Sequence, residues 1–260
     1  MEMKVWLQDH SWEEVKEKID SGKDVAVIPV GSTEQHGRHL PLGTDTMVAA
    51  FLAEDGARET GCIAAPPLWY GWSPHHMVLP GTVTVRPEVL MELLYDVIES
   101  FHEHGFKKMV VINGHRIVNI PWMQIAAERA QRVLGVKVVL FDPAYMSKEI
   151  VPSLGFGTVG HAEEIETSHM MYKRPDLVWL EKAEDSEPHV TPLYSVDPAY
   201  SKDTLCYVPS TRQAMQKQAD ASGGTAGRPT LSNGEAGEKY HRHLVDNLTA
   251  VIRDLLGQSS

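Results

Sequence analysis

The chain of 260 residues predicts an α/β fold in which a mainly parallel sheet is covered by helices on both faces. Three observations predict it. Short apolar runs rich in β-branched residues recur along the sequence, the segments between them carry helical periodicity, and 42% hydrophobic content suffices for the core of one domain over residues 1–260.

Ser11 and Glu14 have the spacing of a capping box, and Trp12, Val15 and Ile19 recur at helical intervals until Ser21-Gly22 ends the run. Residues 25–30 (VAVIPV) form a continuous apolar run, the pattern of a strand covered on both faces. The polar stretch 31–44 is a loop, residues 45–59 are helical, and residues 62–66 are a second strand. Pro87 suits the first turn of an amphipathic helix that ends near Gly105, because a missing N–H costs nothing there. Residues 108–112 (KMVVI) and 137–141 read as further strands, with a helix over 120–134 between them. Residues 162–172 look helical, and residues 235–256 form a closing amphipathic helix. Between these two, residues 184–232 are rich in Pro, Ser and Gly, with little periodicity, and suggest a functional or oligomer-contact segment.

The net charge of −11, from 35 acidic and 24 basic residues, argues against nucleic acid as partner, since a phosphate backbone needs a basic face. The first residues are polar, with no stretch apolar enough for a signal peptide or membrane span, so a cytoplasmic location and no membrane partner are expected. Cys62 and Cys206 then read as ordinary thiols. The 13 histidines carry more information, because imidazole is the commonest metal ligand.

Glu34 and His36 follow the first strand directly and, two apart on extended chain, point to one side. Asp45 opens the next helix and can reach back across the same loop; the alternative is that it only caps that helix while His36 and His39 are solvated. His115, in Asn113-Gly114-His115, also follows a strand, and ligands of open α/β sheets gather at the carboxyl ends of strands. In the run 161–166 (HAEEIE) the helix is expected to begin between His161 and Glu166, leaving His161 free and Glu166 as a ligand. Two carboxylates, two imidazoles and a potentially bridging Asp45, without thiolate, suit Zn2+ or Mn2+. Two such ions held about 3.5 to 4 Å apart would activate a shared water for hydrolysis. The loop 69–76 (WYGWSPHH) offers Trp72, His75 and His76 as a pocket wall for a polar substrate, and Arg116 and Tyr145 are further candidates for substrate contact. Trp69 and Trp72 serve equally well as core or interface aromatics.

Five ordered blocks, PVGSTEQHGRHLPLGTD, LPGTVTV, INGH, HAEEIETS and GTAGRPTLSNGEAGEK, resemble the creatininase family. The resemblance implies a three-layer α/β/α sandwich and a homo-oligomer, a hexamer in the creatinine-hydrolysing members. It implies one metal on Glu34, Asp45 and His115, a second on His36, Asp45 and Glu166, and His161 as the catalytic acid or base. The creatinine-hydrolysing members carry Tyr-Glu where this chain has Arg116-Ile117, and a tryptophan where it has Gly157. Creatinine is therefore not the expected substrate, and Arg116 favours an oxygen-rich or anionic one. The leading expectation is hydrolytic opening of a small cyclic amide, with water activated between the metals attacking a ring carbonyl. The alternatives are C–C cleavage in an oxidised inositol such as 3-dehydro-scyllo-inosose, and a non-catalytic metal-binding assembly subunit.

Overall fold

A computed structural model describes residues 4–157, 159–187, 195–196, 207–208 and 211–258. Its main sheet has the order β2-β1-β3-β4 and is parallel throughout, with β1 spanning Val25–Val30, β2 Ile63–Ala64, β3 Lys108–Asn113 and β4 Lys137–Phe141. Every residue of β1 is buried, as expected of a strand covered on both faces. Alternate side chains divide between two cores. Val25 and Val27 join Leu52 of α2 (Thr44–Thr60) and Leu244 and Leu248 of α8 (Gly234–Leu255). Ala26, Ile28 and Val30 join Leu94 and Ile98 of α3 (Pro87–Glu103) and Met123 of α4 (Ile120–Leu134) on the other face. Helices thus lie on both sides of the sheet, an α/β/α sandwich.

The capping box is present: the Ser11 hydroxyl accepts from the Glu14 N–H at the start of α1 (Trp12–Asp20), and Glu14 accepts from the Ser11 N–H at 2.7 Å. The second strand is shorter than the apolar run 62–66, because Pro66 and Pro67 have no N–H to donate to the ladder. Pairing resumes at Leu68, whose N–H donates to the Pro29 carbonyl at 2.9 Å.

The stretch 184–232 contains a helix that its composition hid, α7 (Arg212–Ser222), with Thr211 capping its start by accepting from the Ala214 N–H and Gly223 ending it at φ +65°. Only Met215, Ala219 and Ser222 are buried, a stripe too narrow to register as amphipathic. Ser195–Val196 and Tyr207–Val208 pair as β5 and β6. Cys206 and the rest of 188–210 lie outside the described residues, whereas Cys62 is a buried free thiol. No helix among the described residues is long and apolar enough to cross a membrane.

Helices α2, α6 (Glu164–Lys173) and α8 are joined by a polar chain at one end of their layer. Lys173 Nζ lies 2.6 Å from Asp55 Oδ2, His241 Nε2 donates to the same oxygen at 2.8 Å, and His169 and His241 share a 2.8 Å hydrogen bond. Burial opposes the charged Asp55, but donation from His241 and Lys173 prevails and holds its carboxyl well below the usual range. A depressed carboxyl stabilises the fold above its unfolded pKa, near 3.9, and that contribution disappears as pH falls through the lower folded value. Asp55→Asn is expected to cost about 1 kcal/mol at pH 7, a figure kept small because the carboxylate is a third exposed and screened. Urea midpoints of mutant and parent should converge between about pH 4 and pH 2.

Candidate metal centre

The parallel register sets Val30 beside Asn113, so the loops leaving β1 and β3 start as neighbours at the carboxyl edge of the sheet. The first is closed by the Glu34 N–H donating to the Leu42 carbonyl at 2.9 Å and turns at Gly37, φ +64°. It returns into α2, whose first turn carries Asp45. The second passes through Gly114, where an added Cβ would meet the Asp45 carbonyl oxygen at 1.9 Å. That contact allows His115 to reach Asp45, and Gly114→Ala is expected to cost about 3 kcal/mol in thermal denaturation, because only movement of the α2 backbone relieves it.

Glu34, His36, Asp45, His115 and Glu166 are all buried within this edge. Two triads have ligand atoms mutually within 4.8 Å: Glu34 with Asp45 and His115, and His36 with Asp45 and Glu166. A third set of Glu34, His36 and His161 meets the same distance. His36 Nδ1 donates to the Glu34 carbonyl at 3.1 Å, which leaves Nε2 directed at Asp45 Oδ1, also 3.1 Å away. His115 places Nδ1 3.1 Å from Asp45 Oδ2 and Nε2 3.3 Å from Glu34 Oε2. Ser73 Oγ donates to Glu34 Oε2. Glu34 Oε1 and Asp45 Oδ2 are buried without an aligned hydrogen-bond donor.

The electrostatics show what the cluster lacks. Burial raises the Glu34 carboxyl, helped by the charge of Asp45. Burial disfavours imidazolium at His36 and His115, yet the surrounding carboxylates raise them to about 10 and about 9. Asp45 is pushed down by those imidazoles despite its burial. Three buried carboxylates thus impose a field that draws positive charge onto imidazoles 3.1 to 3.8 Å away. Orphaned carboxylate oxygens and imidazole nitrogens in this arrangement fit divalent cations.

His161 lies outside the helix, as expected, with α6 starting at Glu164. Its Nε2 donates to the Gln35 carbonyl at 2.6 Å, and its Nδ1 faces Glu34 Oε1 at 3.8 Å. The ring stacks on His76 at 4.3 Å between centroids, and burial together with the charge on His36 holds it well below 6.5. His75 and His76 sit in the turn Pro74–Val78 with rings 4.1 Å apart, both kept neutral chiefly by burial. They line a cavity together with His115, His161 and Met215.

Three other candidates lie elsewhere or are otherwise occupied. Trp72 packs against the core between the sheet and α3. Tyr145, on the short helix α5 (Pro143–Met146), is half exposed beneath the Lys148 ammonium, 4.8 Å from its ring centroid, and is not among the cavity-lining residues. Arg116 borders the cavity, but its guanidinium is held by Glu163 and Glu166. Gln35 escaped the sequence reading although it stands between two of its candidates. Its side-chain amide lies 2.7 Å from His76 Nδ1 and 2.9 Å from His161 Nε2. Ser73 and Glu163 escaped too, the first inside the WYGWSPHH loop and the second within a run of acidic residues that reads as a helix start.

An α/β/α sandwich with carboxylates and imidazoles converging at the carboxyl ends of β1 and β3 defines a class of proteins with a candidate divalent-cation centre. The chain belongs to the creatininase family: residues 8–252 match the family model for creatinine amidohydrolase. It is 29% identical to the 3-dehydro-scyllo-inosose hydrolase of Thermotoga maritima, over 97% of this chain and 84% of that protein. It is 28% identical to the creatinine amidohydrolase of Pseudomonas putida, over 76% of this chain and 83% of that protein. A solved structure, "Creatininase Mn", has a TM-score of 0.81 at 25% identity, covering 97% of this chain and 98% of its own. These relatives are hydrolases, and the chain's ligand groups agree with a metal-binding role.

Proposed function

We propose that the chain is a hydrolase dependent on two divalent cations, Zn2+ or Mn2+, that opens a small oxygen-rich ring at a carbonyl carbon, an oxidised inositol being the best fit. The observation that carries this reading is the cavity wall. Imidazoles of His75, His76 and His161 face it, and the described lining residues include no aromatic plate, since Trp72 packs against the core and position 157 is glycine. Ring nitrogens that donate and accept match the hydroxyls of a polyol better than the flat face of a cyclic amide. The Thermotoga relative, similar over nearly the whole chain, supports the same choice.

Glu34, Asp45 and His115 would hold one cation and His36, Asp45 and Glu166 the other, with Asp45 shared. Bound there, the cations supply Lewis acidity that lowers the pKa of water and polarises a carbonyl. His161 does the proton work. With Nε2–H committed to the Gln35 carbonyl, Nδ1 carries the lone pair and faces the centre. It takes a proton from the attacking water, whose oxygen bonds to the carbonyl carbon, and returns that proton to the ring atom released. In a β-diketone ring that atom is carbon, so a C–C bond breaks and the products are a carboxylic acid and a ketone in one open chain. Homo-oligomerisation and a cytoplasmic location are proposed with it, supported by the family resemblance; exposed Leu42, Trp69 and Tyr70 supply apolar surface for such contacts.

Protein loaded with Mn2+ or Zn2+ and assayed against 3-dehydro-scyllo-inosose, creatinine and cyclic imides tests the reading. The inosose should be opened with kcat/KM at least about tenfold above any cyclic amide, with the new carboxylate seen by NMR. Faster opening of a cyclic amide overturns the choice of substrate. Metal content well below one ion per chain overturns the mechanism.

A further inference from the structure

Arg116 is the one strong cation in contact with this cluster among the described residues, and it touches only one side of it. Its Nη1 and Nη2 lie 2.8 and 2.9 Å from the two oxygens of Glu163. Its Nε and Nη2 lie 3.1 and 2.7 Å from Glu166 Oε1. Glu166 Oε2 accepts from the Ala162 N–H at 2.7 Å and sits 3.8 Å from His36 Nε2. The backbone takes up strain to build this arrangement: Ala162 has φ +51° and aims its N–H at Glu166, and Ile117, next to Arg116, has φ +67° and aims its N–H at Asp142. Glu34 and Asp45 are different. Their ionic neighbours are imidazoles, and each retains a buried oxygen without an aligned donor.

A carboxylate that shares its charge with a guanidinium is a weaker donor to a metal, and a fixed positive charge beside a divalent cation repels it. We propose that Arg116 is a positioning residue that makes the two cation positions unequal. It fixes Glu166 with Oε2 toward His36 and lowers the affinity of the His36, Asp45 and Glu166 position below that of the Glu34, Asp45 and His115 position. Glu163 sets the degree of this effect by drawing the guanidinium away from Glu166. The inference rests on the two-cation reading above. It also removes Arg116 as an anchor for an anionic substrate: its charge is spent inside the protein, in keeping with a neutral polyol ring.

Metal-stripped protein titrated with Mn2+ by calorimetry, with bound metal counted after equilibrium dialysis, gives the test without recourse to turnover. The parent chain should bind two equivalents with affinities at least about tenfold apart. Arg116→Met should tighten the second equivalent by about tenfold or more, because the nearby charge is gone, and Arg116→Lys should return it toward the parent value. Glu163→Gln should weaken the second equivalent, since all of the guanidinium then falls to Glu166. A role confined to structure predicts looser metal in the methionine variant and no change in the glutamine variant. The double variant Arg116→Met/Glu163→Gln removes both members of the Arg116–Glu163 pair, leaving only Glu166 without its guanidinium, and is used if the single methionine variant fails to fold; its second equivalent should also tighten. Two equal sites in the parent, or glutamine and methionine variants that shift the second equivalent in the same direction, overturn the inference and leave the two-cation reading standing. No binding of Mn2+ or Zn2+ by the parent overturns both.

Discussion

Asp45→Asn is expected to lower hydrolytic activity by at least about a thousandfold and to remove most of the bound metal. Asp45 is the one residue common to both principal ligand triads. Its two oxygens face different imidazoles, Oδ1 toward His36 and Oδ2 toward His115, each at 3.1 Å. An amide offers one acceptor oxygen and no charge, so it satisfies neither pair of positions at once. Loss of any ligand specific to one triad leaves the other triad complete, which makes Asp45 the position of largest effect. The stability readout separates metal loss from misfolding. A ligand that binds the folded state alone raises thermal stability by an amount that grows with the logarithm of its concentration above Kd. The melting temperature of the parent should rise on adding Mn2+ or Zn2+, whereas that of Asp45→Asn should stay where the metal-free protein melts. A variant that keeps two ions and turns over normally contradicts the shared-ligand geometry.

What was legible in the sequence was whatever a strand end or a local spacing determines. Glu34, His36 and His115 follow β1 and β3 within a few residues, and pairing of Val30 with Asn113 places them together. The roles that were not legible depend on partners distant in sequence. Arg116 is an exposed cation, a substrate anchor or an internal ion pair according to where residues 163–166 come to lie, and nothing near position 116 says which. Trp72 and His75 are three residues apart in one loop, yet the first turns to the core and the second to the cavity. Tyr145 has the right chemistry for substrate but lies in a four-residue helix directed elsewhere. The helix α7 was hidden for a related reason: its buried stripe of three residues has meaning only once Met215 meets Gln35, 180 positions earlier.

His161→Ala should reduce kcat by about a hundred- to ten-thousandfold while leaving two ions bound, a combination unlike that expected at Asp45. The Nε2 of His161 is committed to the Gln35 carbonyl, and its Nδ1 is 3.8 Å from Glu34 Oε1, close enough to exchange a proton with water at the centre. The two triads that share Asp45 are complete without it. The third triad, Glu34 with His36 and His161, allows the competing role of His161 as a ligand, and the metal count decides between them. Retention of two ions with loss of turnover fits proton transfer, and loss of one ion fits ligation. His161→Gln sharpens the comparison, because an amide keeps a hydrogen bond to Gln35 but has no basic nitrogen to take up a proton. If it too is inactive with full metal content, the lost function is the proton carried by Nδ1. Turnover at the parent rate in either variant removes His161 from the reaction.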